Sequence, residues 1–285
     1  MKKPFVAILL IAFLPGLAIT AQSQPVPSSA VAASSPTSVS FSESSLSSGT
    51  VPVGRAMKAI QEASTAGKLL FLFFHEATAS QPGELQTRFE SLMAKEAASA
   101  SWVVIDRKEA AEKDIVAKYQ IQRAPMPLIL AIAPNGAVTT GFPGEKLSET
   151  AIRDAFVSKG LQTCLAPLQE GKLVILCLQN AKTSSNEAAM TGVKEFAADV
   201  QYNTVTEIVT IDPADPAEAS LFEKIRLTGN GTEAQTILLA PPAVIVGQFK
   251  GAVTKAAIMD ALKAAAPSGG GCGPSSGGCG PSGCK

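Results

Sequence analysis

One feature of this 285-residue chain limits its fold more than any other: it repeats itself. Lys68-Leu69-Leu70-Phe71-Leu72 returns as Lys172-Leu173-Val174-Ile175-Leu176, 104 residues on. Val103-Val104-Ile105-Asp106 returns as Val209-Thr210-Ile211-Asp212 at an offset of 106, where Lys118 and Ile121 also return as Lys224 and Leu227. Ala133-Pro134, Phe142 and Gly144 return as Ala240-Pro241, Phe249 and Gly251 at 107. Each match alone is weak. A nearly constant offset through four separate segments means two copies of one folding unit of about 105 residues.

Each copy alternates helix and strand signals. In the first, a helical pattern over residues 55–66 leads to a continuous apolar run at 69–74, the pattern of a strand buried on both faces. Residues 84–97 place Leu85, Phe89, Leu92 and Met93 on one helical face. A strand at 102–105 and a helix at 109–119 carrying Ile115, Val116 and Tyr119 come next. A strand at 127–133 then turns through Pro134-Asn135-Gly136 into 137–141, and Ser148 caps a last helix to 156. The order α-β-α-β-α-β-β-α predicts an α/β domain, a central mixed sheet flanked by helices.

This order resembles the thioredoxin fold, and Tyr119-Gln-Ile121-Gln-Arg-Ala-Pro125-Met126 before an apolar strand and a Gly turn carries the resemblance. In thioredoxin-like proteins the corresponding proline is cis and sits beside the active-site loop. The resemblance implies that role for Pro125; Pro127 competes for it, and a trans proline opening an edge strand is the plain alternative. It covers residues 53–266 and implies two tandem thioredoxin-like domains, 54–160 and 161–266. It also implies a Cys-x-x-Cys at the end of the first buried strand, where a helix N-terminus lowers the thiol pKa. Here that stretch reads His75-Glu76-Ala77-Thr78-Ala79-Ser80-Gln81, with Thr78 and Gln81 standing where the cysteines would be. In the second copy Asn180-Ala181-Lys182-Thr183-Ser184-Ser185 is equally without sulfur, and residues 229–233 contain no proline. Dithiol exchange at either expected site is excluded by composition. What the resemblance still implies is a groove beside Pro125 where an extended peptide of a protein partner adds to the sheet edge.

His75 is the chain's one histidine, so multi-histidine metal sites are excluded and any Ser-His-Asp or Cys-His site would have to be built on it. At the mouth of the degenerate site it reads either as a general base or metal ligand or, more plainly, as a surface loop histidine. Lys+Arg and Asp+Glu both number 24, which leaves no net charge to draw the chain to a phosphate backbone; no nucleic-acid partner is expected. Asp212-Pro-Ala-Asp215-Pro-Ala-Glu218 collects three carboxylates, which fit a helix start better than a calcium site. Asn230-Gly-Thr232 has the form of a glycosylation acceptor.

Lys2 and Lys3 precede an apolar run over residues 5–19 and the small residues Thr20 and Ala21, which reads as a signal peptide, 1–21, and hence as export to a periplasmic or extracellular compartment. The run is short for a membrane span, so none is expected in the mature protein. Residues 22–53, rich in Ser, Pro and Ala, read as a disordered linker.

Five cysteines remain. Cys177 falls in an apolar strand and Cys164 in the connector between copies, as buried free thiols or as a Cys164–Cys177 bridge. Cys272, Cys279 and Cys284 lie in residues 267–285, a Gly/Pro/Ser tail that predicts flexible chain. Three thiolates there can wrap Cu(I) or Zn(II), or pair as a disulfide with one thiol left over. The expected function is therefore a redox-inactive binding or structural protein. A thiol protein working through its tail is the alternative, and a tail swinging into the empty site at 78–81 the remotest reading.

Overall fold

The computed structural model describes residues 54–76, 83–226 and 231–265. The expected signal peptide, linker and tail lie outside the described residues. The chain divides into two units, Met1–Val157 and Ser158–Lys285. The division falls before residue 160 because Ser158 accepts a hydrogen bond from Leu161 N and so starts the first helix of the second unit.

Unit 1 runs α1 (Arg55–Ala66), β1 (Leu69–His75), α2 (Gly83–Lys95), β2 (Ala100–Asp106), a 3-10 turn at Ala110–Glu112, α3 (Lys113–Lys118), β3 (Leu128–Ile132), β4 (Val138–Pro143) and α4 (Glu149–Asp154). The sheet order is β2-β1-β3-β4. β1 pairs parallel with β2 and antiparallel with β3, which pairs antiparallel with β4. β1 is the central strand because Leu69-Leu-Phe-Leu-Phe-Phe74 has no polar side to offer water; all six are buried. On one face Leu70, Leu72 and Phe74 meet α1 and α3 through Ala56, Ala63, Ile115 and Val116. Phe73 packs in a tilted pair on Phe89 of α2, ring centroids 5.1 Å apart, as the spacing of that helix requires.

Unit 2 repeats the plan: α5 (Lys159–Gln169), β5 (Leu173–Leu178), α6 (Asn186–Ala197), β6 (Thr206–Ile211), a 3-10 turn at Pro216–Glu218, α7 (Ala219–Lys224), β7 (Gln235–Ala240), β8 (Val244–Lys250) and α8 (Lys255–Ala265), with sheet order β6-β5-β7-β8. The repetition reaches the irregularities. Each terminal hairpin carries a register shift, at Ala131/Ile132 and at Leu238/Leu239. Gly144 N donates to Pro127 O and Gly251 N to Ala234 O, both at 2.8 Å, so Pro127 and Ala234 occupy one position in the two units.

The expected helix over 109–119 is broken in both units by a glutamate that turns inward. Glu112 is fully buried, and its carboxylate accepts from Arg55 N at 2.6 Å and Ala56 N at 3.2 Å, holding the first turn of α1 from 57 residues away. Glu218 holds Gly160 N of α5 at 2.7 Å in the same way. An anion at a helix N-terminus meets unpaired N–H groups and the positive end of the dipole. The carboxylates press on glycines: a Cβ on Gly54 would stand 2.7 Å from Glu112 Oε2, and one on Gly160 2.5 Å from Glu218 Oε2. Among the described residues no helix is long and apolar enough to cross a membrane.

Candidate functional site

The site where a thioredoxin-like protein would hold its chemistry lies at the C-terminal end of β1. The register sets His75 opposite Asp106, the last residue of β2. His75 is thus the end of the strand and not a loop residue; its carbonyl accepts from Arg107 N at 3.0 Å, and its Nδ1 is buried with no partner among the described residues. Thr78 and Gln81 lie outside the described residues.

Arg107 joins the two chain segments that flank this end of the sheet. Its guanidinium pairs with the Glu76 carboxylate, and Lys108 Nζ reaches the other oxygen of Glu76 at 3.2 Å. Arg107 Nη1 also donates to Ala124 O at 2.8 Å and to Ile121 O at 3.2 Å. One planar side chain thereby ties the chain leaving β1 to the chain entering β3, which the fork geometry of Arg allows and Lys does not. The Arg107 hydrogen bond, helped by Lys108, holds the Glu76 carboxyl below the usual carboxylate range.

Among the described residues of this unit the cis peptide bond is Met126–Pro127; the Ala124–Pro125 bond is trans, which corrects the role assigned to Pro125. Pro127 directly precedes β3 and its carbonyl already belongs to the β3–β4 ladder through Gly144 N, whereas Pro125 leaves the 3-10 turn at Ile121–Arg123 two residues earlier. Between the two prolines, Met126 packs its side chain against the core, and its main-chain N–H and C=O have no hydrogen bond among the described residues. In unit 2 Ala234 stands in place of Pro127, one residue past the 229–233 stretch where the sequence placed that position. A second cis bond, Pro241–Pro242, lies in the β7–β8 turn.

Unit 2 builds the same place from neutral side chains around one carboxylate, with no ion pair there among the described residues. Asn180 follows β5 as Glu76 follows β1, and its Nδ2 donates to Asp212 Oδ1 at 2.7 Å. Thr183 Oγ accepts from Asn180 N at 2.9 Å and donates to Asn186 Oδ1 at 2.6 Å, while Asn186 Nδ2 donates to Asn180 O at 2.7 Å. Ser184 then forms a short parallel bridge with Glu233, its N–H donating to Thr232 O and its carbonyl accepting from Ala234 N, both at 3.0 Å. The second of these bonds has no counterpart in unit 1, since Pro127 has no N–H.

The other expected sites dissolve. Cys164 lies inside α5, not in a connector, and packs on one face of the second sheet; Cys177 packs on the opposite face. A sheet separates them, so they do not bridge. Burial pushes both thiols up to about 12, with Glu218 adding to the effect on Cys164. Asp215 caps the 3-10 turn through Ala217 N and Asp212 accepts from Ala214 N, while Glu218 points inward, so the three carboxylates do not converge. Among the described residues no three His, Cys, Asp or Glu side chains group to hold a metal ion. Cys272, Cys279 and Cys284 lie outside the described residues.

Sequence reasoning missed Arg107, Met126 and the glutamate pair. The pair had a signal: Glu109-Ala-Ala-Glu112 and Asp215-Pro-Ala-Glu218 match at the offset of 106. Arg107 had none, because Pro213 stands at its place in the second copy.

Neither a protein-family model nor a curated protein sequence matches the chain. Among solved structures, the germline-specific thioredoxin Deadhead of Drosophila melanogaster is 22% identical over 33% of this chain and 81% of its own, with a TM-score of 0.27. The first two thioredoxin domains of Saccharomyces cerevisiae Eps1p are 11% identical over 74% of this chain and 96% of theirs, with a TM-score of 0.27. The zinc-bound form of human ERp44 is 12% identical over 74% of this chain and 60% of its own, with a TM-score of 0.33. The strand order, the parallel β1–β2 and β5–β6 pairs and the closing antiparallel hairpins are what assign the fold: the chain carries two thioredoxin-like domains in tandem.

Proposed function

We propose that this chain is an exported, redox-inactive thioredoxin-like protein that binds an extended segment of a protein partner along Pro125-Met126-Pro127. The observation that carries the reading is the main chain of Met126. Its side chain is anchored in the core while its N–H and C=O are left to a partner, between two prolines that offer no donor of their own. Arg107 fixes the carbonyls just upstream, so the segment is held ready before a peptide arrives. A peptide strand adding here makes main-chain hydrogen bonds with Met126 and takes specificity from its alternate side chains.

Redox inactivity is supported by where the sulfur lies. Exchange needs a thiolate that can reach a sulfur, and with a pKa of about 12 a buried thiol is ionised in about one molecule in ten thousand at pH 8. Export is supported by the charged and apolar pattern of residues 1–21. A second reading is favoured by the repeated Cys-Gly-Pro-Ser of the tail: Cys272, Cys279 and Cys284 bind a soft ion such as Cu(I) or Zn(II) or exchange disulfides.

Two assays separate these. The full chain and its C272S/C279S/C284S variant are tested for insulin disulfide reduction, with no turnover expected from either. Turnover lost in the variant moves the function to the tail, and turnover kept in the variant refutes redox inactivity. Fluorescence anisotropy with carboxymethylated α-lactalbumin, an unfolded chain without free thiols, tests the groove. Met126→Pro removes the one N–H of the segment and is expected to weaken binding severalfold; unchanged binding would refute the Met126 site.

A further inference from the structure

A second concavity of unit 1 is separate from the Met126 segment. It runs between α1 and the chain from Ala110 to Ile115, with Gly54 at one end and the Pro134-Asn135-Gly136 turn at the other, and encloses about 990 Å³. Met57, 41% exposed, and Ile60 line it along α1. An exposed methionine on a helix is ordinary taken singly. The repeat makes this one informative: 106 residues on, the same positions of α5 hold Thr163 and Ala166. At these two positions only α1 carries large apolar side chains.

Where the chain enters points to an occupant for the groove. Gly54 is itself part of the groove wall, with extended backbone at φ −58° and ψ 151°. A Cβ on it would stand 2.4 Å from Ala111 O, so the chain arrives pressed between the two walls. The residues directly before it are Val51-Pro52-Val53, an apolar end to the serine-rich run Ser47-Ser48-Gly49-Thr50. We propose that residues 51–53 dock in this groove and lay Val51 and Val53 over Met57 and Ile60. Three extended residues reach about 10 Å, whereas the 12 residues of α1 span about 18 Å. The cover therefore protects the Gly54 half and leaves Ser64 and Thr65 at the far end open. Being covalently attached, the segment meets the groove at an effective concentration in the millimolar range, so modest apolar burial is enough to hold it. Pro52 suits the place, since it brings no N–H to be lost against an apolar wall.

Peroxide oxidation of Met57 in the full chain tests this, read by mass spectrometry of the peptide that carries it. In the V51S/V53S variant Met57 is expected to oxidise several-fold faster than in the wild type. Met93, fully buried, reports that the variant is folded by staying unoxidised. Equal rates in the two proteins overturn the proposal, whether both are fast because nothing covers Met57 or both are slow because something else does. A wild-type rate that rises on dilution also overturns it, in favour of a second copy of the chain as the cover.

Discussion

The two units close the end of their central strand with different chemistry on one backbone plan. Unit 1 uses a charged clamp, Glu76 to Arg107 and Lys108, with the guanidinium reaching on to the carbonyls of Ile121 and Ala124. In unit 2 the neutral side chains of Asn180, Thr183 and Asn186 form a net around the Asp212 carboxylate, finished by a main-chain rung at Ser184. The sheets beneath share their strand order, the displaced hairpin register and the Gly144 and Gly251 bonds. The backbone plan therefore asks only that this end be tied down. Which groups tie it decides how the site responds to pH, salt and a peptide.

The sharpest test of the shared plan is the pair of inward glutamates, which look equivalent and are not. Both oxygens of Glu112 engage main-chain N–H groups of α1, whereas Glu218 has one bonded oxygen and an Oε2 with no partner among the described residues. Glu112→Gln sets an amide NH₂ or a poorer acceptor against a buried N–H and is expected to cost about 1–2 kcal/mol in chemical denaturation. Glu218→Gln can point its NH₂ along the unpartnered direction and is expected to cost less than half as much. Equal losses would mean that the two units use their glutamates alike and that the contrast is one of side-chain placement alone.

Next in size is the rung itself. Ala234→Pro gives unit 2 the residue that unit 1 has at this position and deletes the N–H donated to Ser184 O. The expected loss is about 1 kcal/mol, the net worth of one hydrogen bond, with faster hydrogen exchange at Ser184. An unaltered exchange rate at Ser184 would show that the side-chain net, and not the rung, fixes this loop.

How much of the fold and the site was legible in the sequence depends on which forces act locally. The β1 run of six apolar residues, the Phe89 and Met93 stripe and the constant offset announce strands, helix and repeat, because burial and periodicity are properties of neighbouring residues. Ser148 does cap its helix, accepting from Ala151 N as its position promised. The site was legible mainly by what it lacks. Pro125 and Pro127 both fit the thioredoxin-like context, and only the ladder, through Gly144, tells which one adjoins the strand. Cys164 read as connector because Pro167 sits within α5 and breaks the helical pattern there. Glu112 is polar in sequence and fully buried in the fold, and nothing near it in the chain says so; its partners come 57 residues earlier.

The smallest expected effect is the one that tells charge from neutrality. Glu76 has its pKa depressed first by the Arg107 hydrogen bond and then by Lys108, whereas Asp212 in unit 2 has its pKa depressed first by Ala214 N–H and then by Asn180. A carboxyl with a lowered folded pKa adds stability at pH values above its unfolded pKa, about 4, and that stability drains away as pH falls through the folded value. Thermal melts should therefore show Glu76→Gln and Asp212→Asn each below the wild type at pH 7, with both gaps closing as the pH drops below about 4. Salt then separates them. The Glu76 gap rests on two cations and should narrow between low and 1 M salt, where the screening length falls to about 3 Å. The Asp212 gap rests first on the neutral donors Ala214 N–H and Asn180, with Lys182 adding last, and should persist in the larger part. A Glu76 gap that is as wide at pH 3 as at pH 7, or that ignores salt, would mean that packing rather than charge holds the clamp, and the distinction between the two strand ends would reduce to the Ser184 rung.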